Sequence, residues 1–195
     1  MTIQNLNTSI LTPLFRSDQV RRVFDDELAS QINVQLSRME KRGELIRLKN
    51  GVYQFANREV DVLTIATHLY QPTYVSLETA LSIYGILPET PSQVTSVGPI
   101  TTKELKTVRG VFSYSKIQSA LYFGFEKLQD SYSSLYYNLA YPEKALLDYV
   151  YIRQISDLSD YRLDLESINL QRLDSYAKLF PSWVGSIIRK QINHE

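Results

Sequence analysis

Cysteine is absent from the 195 residues. That excludes disulfides, thiolate nucleophiles and cysteine-ligated zinc, and it fits a reducing compartment. Histidine is scarce: His68 and His194 are far apart and neither belongs to an H-E-x-x-H pattern. No metal site is expected from them. Glycine is sparse as well. The seven glycines are scattered, and neither G-x-G-x-x-G nor G-x-x-x-x-G-K can be written, so the phosphate-cradling loops of nucleotide enzymes are missing. No apolar run approaches the roughly 20 residues needed to cross a bilayer. Met1–Asn7 has no basic residue leading an apolar stretch, so no secretory signal is expected and the location reads as cytoplasmic, away from membranes. Excess charge is also lacking, with 21 basic and 21 acidic residues.

The distribution of charge says more than its sum. From Leu28 to Arg58 the basic residues are Arg38, Lys41, Arg42, Arg47, Lys49 and Arg58, against Glu40 and Glu44 alone. From Asp61 to Asp160 the acids outnumber the bases. The pattern suggests a front module that meets a polyanion and a rear module with another task.

The front module has a recognisable order. Ile3, Leu6, Ile10 and Leu14 recur at helical spacing and run into Pro13, which predicts a first helix over residues 3–15 ending near the proline. Ser17-Asp18 predicts an N-cap and acidic first turn for a short second helix through Phe24, with Val20, Val23 and Phe24 buried. A third helix is expected over Leu28–Arg42, stopped by Gly43. Leu28, Ile32, Leu36 and Met39 share its core face. Gln31, Gln35, Arg38 and Arg42 form a separate stripe whose amides and guanidiniums suit base edges and phosphates. The plain alternative is a solvated helix face. The acids Asp25, Asp26 and Glu27 just before this helix suit its N-terminal dipole. Two β-prone runs follow, Glu44–Leu48 and Val52–Phe55, joined through Asn50-Gly51, a strong hairpin signal. Three helices, a glycine stop and a hairpin are the order of a winged helix-turn-helix, with Arg47 and Lys49 near the wing tip. The expected class is therefore α+β: a winged helix-turn-helix over residues 1–58, then a mixed α/β domain over 59–195 whose C-terminal helices start near 162.

In the rear module, helices are expected over 61–70, from Ser76 to Gly85, and from Pro142. β-like runs span 93–97, 111–117, 122–128 and 135–140. Two amphipathic helices, 165–180 and 182–192, flank Pro181. Ser113-Tyr114-Ser115-Lys116 matches S-x-x-K formally, but it falls in a strand-like run and lacks companion motifs. The fourteen tyrosines crowd the second half and suit a packed sheet with one interaction face. No catalytic constellation or cofactor site is found, and the chain is not expected to be an enzyme.

Three segments resemble the AbiEi family of antitoxins. Met39–Tyr53, including Lys41-Arg42-Gly43-Glu44-Leu45-Ile46-Arg47 and Gly51-Val52-Tyr53, is similar to that family's recognition-helix end and wing. Tyr74–Leu81 followed by Tyr84-Gly85-Ile86 is similar to the opening of its second domain. Ala140-Tyr141-Pro142-Glu143-Lys144-Ala145-Leu146-Leu147-Asp148 resembles its A-x-P-E-K-A-L-L-D signature. The resemblance covers roughly residues 15–155. It implies a two-domain antitoxin of the type IV kind, acting in phage defence, that represses its own operon by binding double-stranded operator DNA. The rear domain would counteract a cognate nucleotidyltransferase-type toxin, acting without a stable complex. Dimerisation on DNA is left open. The residue pattern of the front module points to Gln31, Gln35, Arg38, Lys41, Arg42, Arg47 and Lys49 as DNA contacts, and the resemblance points to Pro142, Glu143 and Lys144 as the antitoxin motif. Within that motif a purely structural role is the favoured reading: Glu143 suits the first helical turn, and Lys144 with Asp148 reads as a surface pair at i, i+4. The alternative function is a winged-helix regulator with a dimerising or ligand-sensing rear domain and no toxin.

Overall fold

In the computed structural model, which describes residues 1–192, eight α-helices and two β-sheets build a mixed α+β protein. The first helix, α1 (Ile3–Ser9), is capped by Thr2, whose hydroxyl accepts from Asn5 N. It stops well short of the expected residue 15. Leu14–Arg16 instead form strand β1, because Pro13 ends the helix and the next side chains are drawn to two different cores. Phe15 packs on Phe55 with ring centroids 4.8 Å apart, while Leu14 joins the rear core. Helix α2 (Ser17–Val23) starts from Arg16 rather than from Ser17, and Val23 is exposed.

Helix α3 (Ala29–Lys41) buries Ile32, Leu36 and Met39 as its period requires. Leu28, expected on that face, is the N-cap residue and points to solvent. The preceding acids make no side-chain capping bond to the helix. Gly43 adopts φ 74°, the left-handed stop that glycine permits. Strands β2 (Leu45–Lys49) and β3 (Val52–Phe55) then form the hairpin, with Gly51 at φ 72° in its turn.

The three strands pair antiparallel in the order β1-β3-β2. All four β3 residues are buried, so this sheet is covered on both faces. Tyr53, Phe55, Phe15 and Leu45 face α1–α3, while Leu14, Leu48 and Val52 belong to the rear core. The hairpin is thus a shared wall between the front and rear units.

The rear unit opens with α4 (Val62–Leu69), capped by the Asp61 carboxylate, which accepts from Leu63 N at 2.8 Å. Six strands follow: β4 (Tyr74–Val75), β5 (Val94–Gly98), β6 (Lys103–Thr107), β7 (Gly110–Lys116), β8 (Phe125–Gln129) and β9 (Tyr136–Ala140). Their order is β6-β7-β5-β4-β9-β8, with β5–β7 and β4–β9 parallel and the other pairs antiparallel. Strand β6, absent from the expected elements, is an edge strand whose Lys and Glu side chains face solvent. The Ser113–Lys116 motif lies on β7, not at a helix start.

Helix α5 (Leu77–Ile83) leads into Gly85, and α6 (Pro142–Arg153) starts on its proline. Every residue from Glu143 to Val150 is buried, so α6 is the axis of this unit. Helix α7 (Leu170–Ala177) is shorter than expected at both ends, and α8 (Ser182–Ile192) follows Pro181. Both pack on α6. Among the described residues no helix is long and apolar enough to cross a membrane. His194 lies outside the described residues.

Candidate nucleic-acid interface

Helix α3 presents its outer face beside a β-hairpin, and the structure sorts the basic residues of this region by what each one touches. Two of the six are internal struts. The Arg58 guanidinium donates to the carbonyls of Asn7 (2.9 Å), Ile10 (2.8 Å) and Thr12 (3.3 Å) and stacks 4.3 Å over the Phe55 ring. It ties off the end of α1, where carbonyls lack helical partners. Lys49, expected to meet phosphate, donates instead to the Leu69 carbonyl at the end of α4. A cation there complements the helix dipole, and the bond pins the hairpin to the rear unit. Burial, with Arg16 and Lys103 nearby, lowers the Lys49 pKa. The expectation for Lys49 is therefore corrected: its ammonium serves the junction between units.

Gln35 lies closer to the core than the rest of its expected stripe. At about 100° per residue it lies only about 40° from Met39 on the helix wheel, on the flank of the core. It is half-buried, and its Oε1 and the Oε2 of Glu27 are both buried without a hydrogen-bond partner among the described residues. The Glu27 carboxyl is held below its usual value, chiefly by the Met1 amino group and more weakly by the Gln35 amide. Gln35 therefore sits beside Glu27, at the edge of the outer face and nearer the core than Gln31 and Arg38.

What remains outward on α3 is a stripe of Gln31, Val34, Arg38 and Lys41, all exposed. Gln31, Val34 and Arg38 of this stripe, together with Glu27, Ser30 and Gln35, line a shallow groove of about 490 Å³. No ion-pair partner is found for Arg38 or Lys41 among the described residues. Arg42 is paired with Glu44 at 2.7 Å, which raises its pKa. Arg47 bonds Asn50 and approaches Glu40 at 3.9 Å. Both pairs are partly exposed, so little energy holds them against a competing phosphate. The hairpin turn is anchored by Ser17 N, which donates to Gly51 O at 3.0 Å. A second link ties the units together: Arg109 Nε donates to the buried Gln54 Oε1 at 3.1 Å.

The Pro142–Asp148 motif has the opposite character. Pro142 sits at the first turn of α6, and Glu143 is buried. The Glu143 carboxylate accepts from Asn169 N at 2.8 Å and from Arg172 at 3.5 Å, holding the start of α7. Lys144 and Asp148, expected as a surface pair, are wholly buried. The Lys144 ammonium bonds Asp148 Oδ1 and donates to Tyr74 Oη at 2.7 Å. Asp148 Oδ2 accepts from Tyr74 Oη at 2.8 Å and Ser76 Oγ at 2.9 Å. The rings of Tyr74, Phe123 and Phe180 stand 5.0–5.2 Å from the ammonium. Burial pushes the Lys144 pKa down and the Asp148 and Tyr74 pKa values up. These residues are a polar lock joining β4, α5 and α6, closed to any ligand. Sequence reasoning missed the burial because Lys and Asp are almost never interior unless paired. The one available signal was the apolar residues Ala145–Leu147 and Tyr149–Ile152 on either side of Asp148.

The chain matches no protein-family model and no curated protein sequence.

Proposed function

We propose that this protein is a DNA-binding antitoxin. In this reading residues 1–58 act as a winged helix-turn-helix, α3 enters the major groove of operator DNA, and the protein represses its own operon. The rear unit counteracts a nucleotidyltransferase-type toxin, and the chain performs no chemistry of its own. The observation that carries the DNA reading is the outer face of α3. Arg38 and Lys41 stand there as exposed cations without carboxylate partners among the described residues, beside Gln31 and next to the Arg47 hairpin. Unpaired local cations supply phosphate affinity by releasing condensed counterions, even on a chain of balanced charge. Amide and guanidinium groups on one helix face supply base reading. The antitoxin part rests on the resemblance of residues 39–53, 74–86 and 140–148 to the AbiEi family.

A second reading has one observation in its favour. A cleft of about 430 Å³ opens between α4, α5 and the β6–β7 turn, lined by Val62, Ile83, Pro91, Val94 and Arg109 among others. Its volume suits a small molecule, and Arg109 links its wall to β3. This favours a ligand-sensing regulator with no toxin.

One assay tests the DNA binding that both readings share, and a second separates them. A gel-shift titration against the upstream DNA of the gene tests repression: saturable, sequence-selective binding that weakens with salt is expected. Co-expression with an adjacent nucleotidyltransferase-like gene tests the antitoxin role. Growth restored by the antitoxin gene is expected, and arrest that persists despite folded protein removes that role.

A further inference from the structure

Val34 occupies the middle of the exposed α3 stripe with 49% of its surface accessible. It joins neither buried cluster and is not among the half-buried side chains packed against them. Valine is a poorer helix former than alanine, glutamate or lysine, so local helix stability does not call for it at a solvent position. Its neighbours on the stripe are Gln31 one turn before and Arg38 one turn after, and all three line the same groove with Ser30. The one carboxylate lining this groove, Glu27, pairs with the Met1 amino group at its N-terminal end, and Arg38 and Lys41, without ion-pair partners among the described residues, give the C-terminal half of the stripe a positive charge.

Each of these side chains has a matching feature in the major groove. Glutamine pairs with adenine N6 and N7, arginine with guanine O6 and N7, and a small apolar group with the C5-methyl of thymine. Along the helix axis Gln31 and Val34 are about 4.5 Å apart, and Val34 and Arg38 about 6 Å. These separations correspond to one to two base-pair steps of about 3.4 Å. We infer that Val34 reads a thymine through its 5-methyl group, between an adenine read by Gln31 and a guanine read by Arg38. The inference rests on the reading of α3 as the DNA-reading helix. It moves the second reading position from Gln35, which faces Glu27, to Val34.

The experiment uses the full chain and a library of random duplexes. After selection, the enriched duplex is resynthesised with deoxyuridine at each thymine in turn, which deletes only the methyl group. For the unaltered protein one thymine of the selected site should lose about four-fold in affinity when its methyl is removed, the value of one buried methyl-sized group. Val34→Ala should lose a similar factor on the thymine duplex and show no further loss on the uracil duplex, so the two changes are not additive. Circular dichroism checks that this exposed variant is folded. Insensitivity of the unaltered protein to uracil at every position would overturn the inference while leaving DNA reading intact. A uracil effect that persists in Val34→Ala would also overturn it. Failure to enrich or bind any duplex would instead overturn the DNA reading on which it rests.

Discussion

Lys144→Met should be the most damaging single substitution in the rear unit, and the reason lies in what it leaves behind. The lysine stem is replaced by a side chain of similar length, so packing against Phe123 and Phe180 is largely kept. The Asp148 carboxylate stays fully buried, facing only the Tyr74 and Ser76 hydroxyls. Removing one partner of a buried pair costs about 3–5 kcal/mol, because the remaining charge has no compensation. At roughly 2–4 °C per kcal/mol for a chain of this size, Tm should fall by at least about 6 °C. The double variant Lys144→Met with Asp148→Asn removes the charge while keeping an acceptor for both hydroxyls, and should recover more than half of the loss. The pH dependence has a definite sign. Burial already raises the Asp148 pKa in the unaltered protein, and losing the ammonium raises it further. A carboxyl whose folded value exceeds its unfolded one gives stability that is present at low pH and lost as pH rises through the folded value. Lys144→Met should therefore be more stable at pH 5 than at pH 8. Urea denaturation at both values measures all three effects. A loss below about 1 kcal/mol, or a double variant no better than the single one, would refute the polar lock.

Lys49→Met should lower stability by about 1–2 kcal/mol through loss of its bond to the Leu69 carbonyl, with no change in DNA affinity measured by anisotropy. His68 bonds the Thr64 carbonyl through Nδ1, and burial lowers its pKa from 6.5. A depressed folded value gives stability that is present above pH 6.5 and lost as pH falls through it. Thermal melts between pH 7 and 5 should show that loss, and His68→Asn should flatten it. Gly98→Ala should cost about 1–3 kcal/mol in a thermal melt, since its Cβ would stand 2.6 Å from the Pro72 carbonyl oxygen and 2.7 Å from Thr73 Cγ2.

Local signals made much of the architecture legible. The period of Ile32, Leu36 and Met39 marked α3, Gly43 marked its end, and Asn50-Gly51 marked the hairpin, because each depends on backbone geometry set by neighbours in sequence. Pro142 marked the start of α6 for the same reason. Features set by tertiary packing were hidden. Leu14–Arg16 follow a helical pattern in sequence yet form a strand, because a partner strand near residue 53 captures them. Strand β6 carries a polar composition suited to a sheet edge, which erases its alternation. The candidate interface was legible in part: the basic cluster was real, but charge alone cannot separate Arg38, which faces solvent, from Arg58 and Lys49, which bond carbonyls across the fold. Gln35 and Val34 are consecutive and stand about 100° apart on the helix wheel, and the positions of Glu27 and the core leave Val34 the more exposed of the two.

The central claim is that the outer face of α3 binds DNA, and salt dependence tests it most directly. Fluorescence anisotropy of the full chain on its own upstream duplex, across a series of salt concentrations, gives the slope of log K against log salt. Each phosphate contact contributes about 0.9 to that slope. Arg38→Ala should weaken binding by about 1–3 kcal/mol and relax preference at one position of the site. Lys41→Ala should weaken all sequences alike and reduce the slope by about 1. Gln35→Ala should leave both affinity and slope unchanged. That pattern is the predicted result. Absence of binding at low salt, or a slope that neither Arg38→Ala nor Lys41→Ala alters, would contradict the claim.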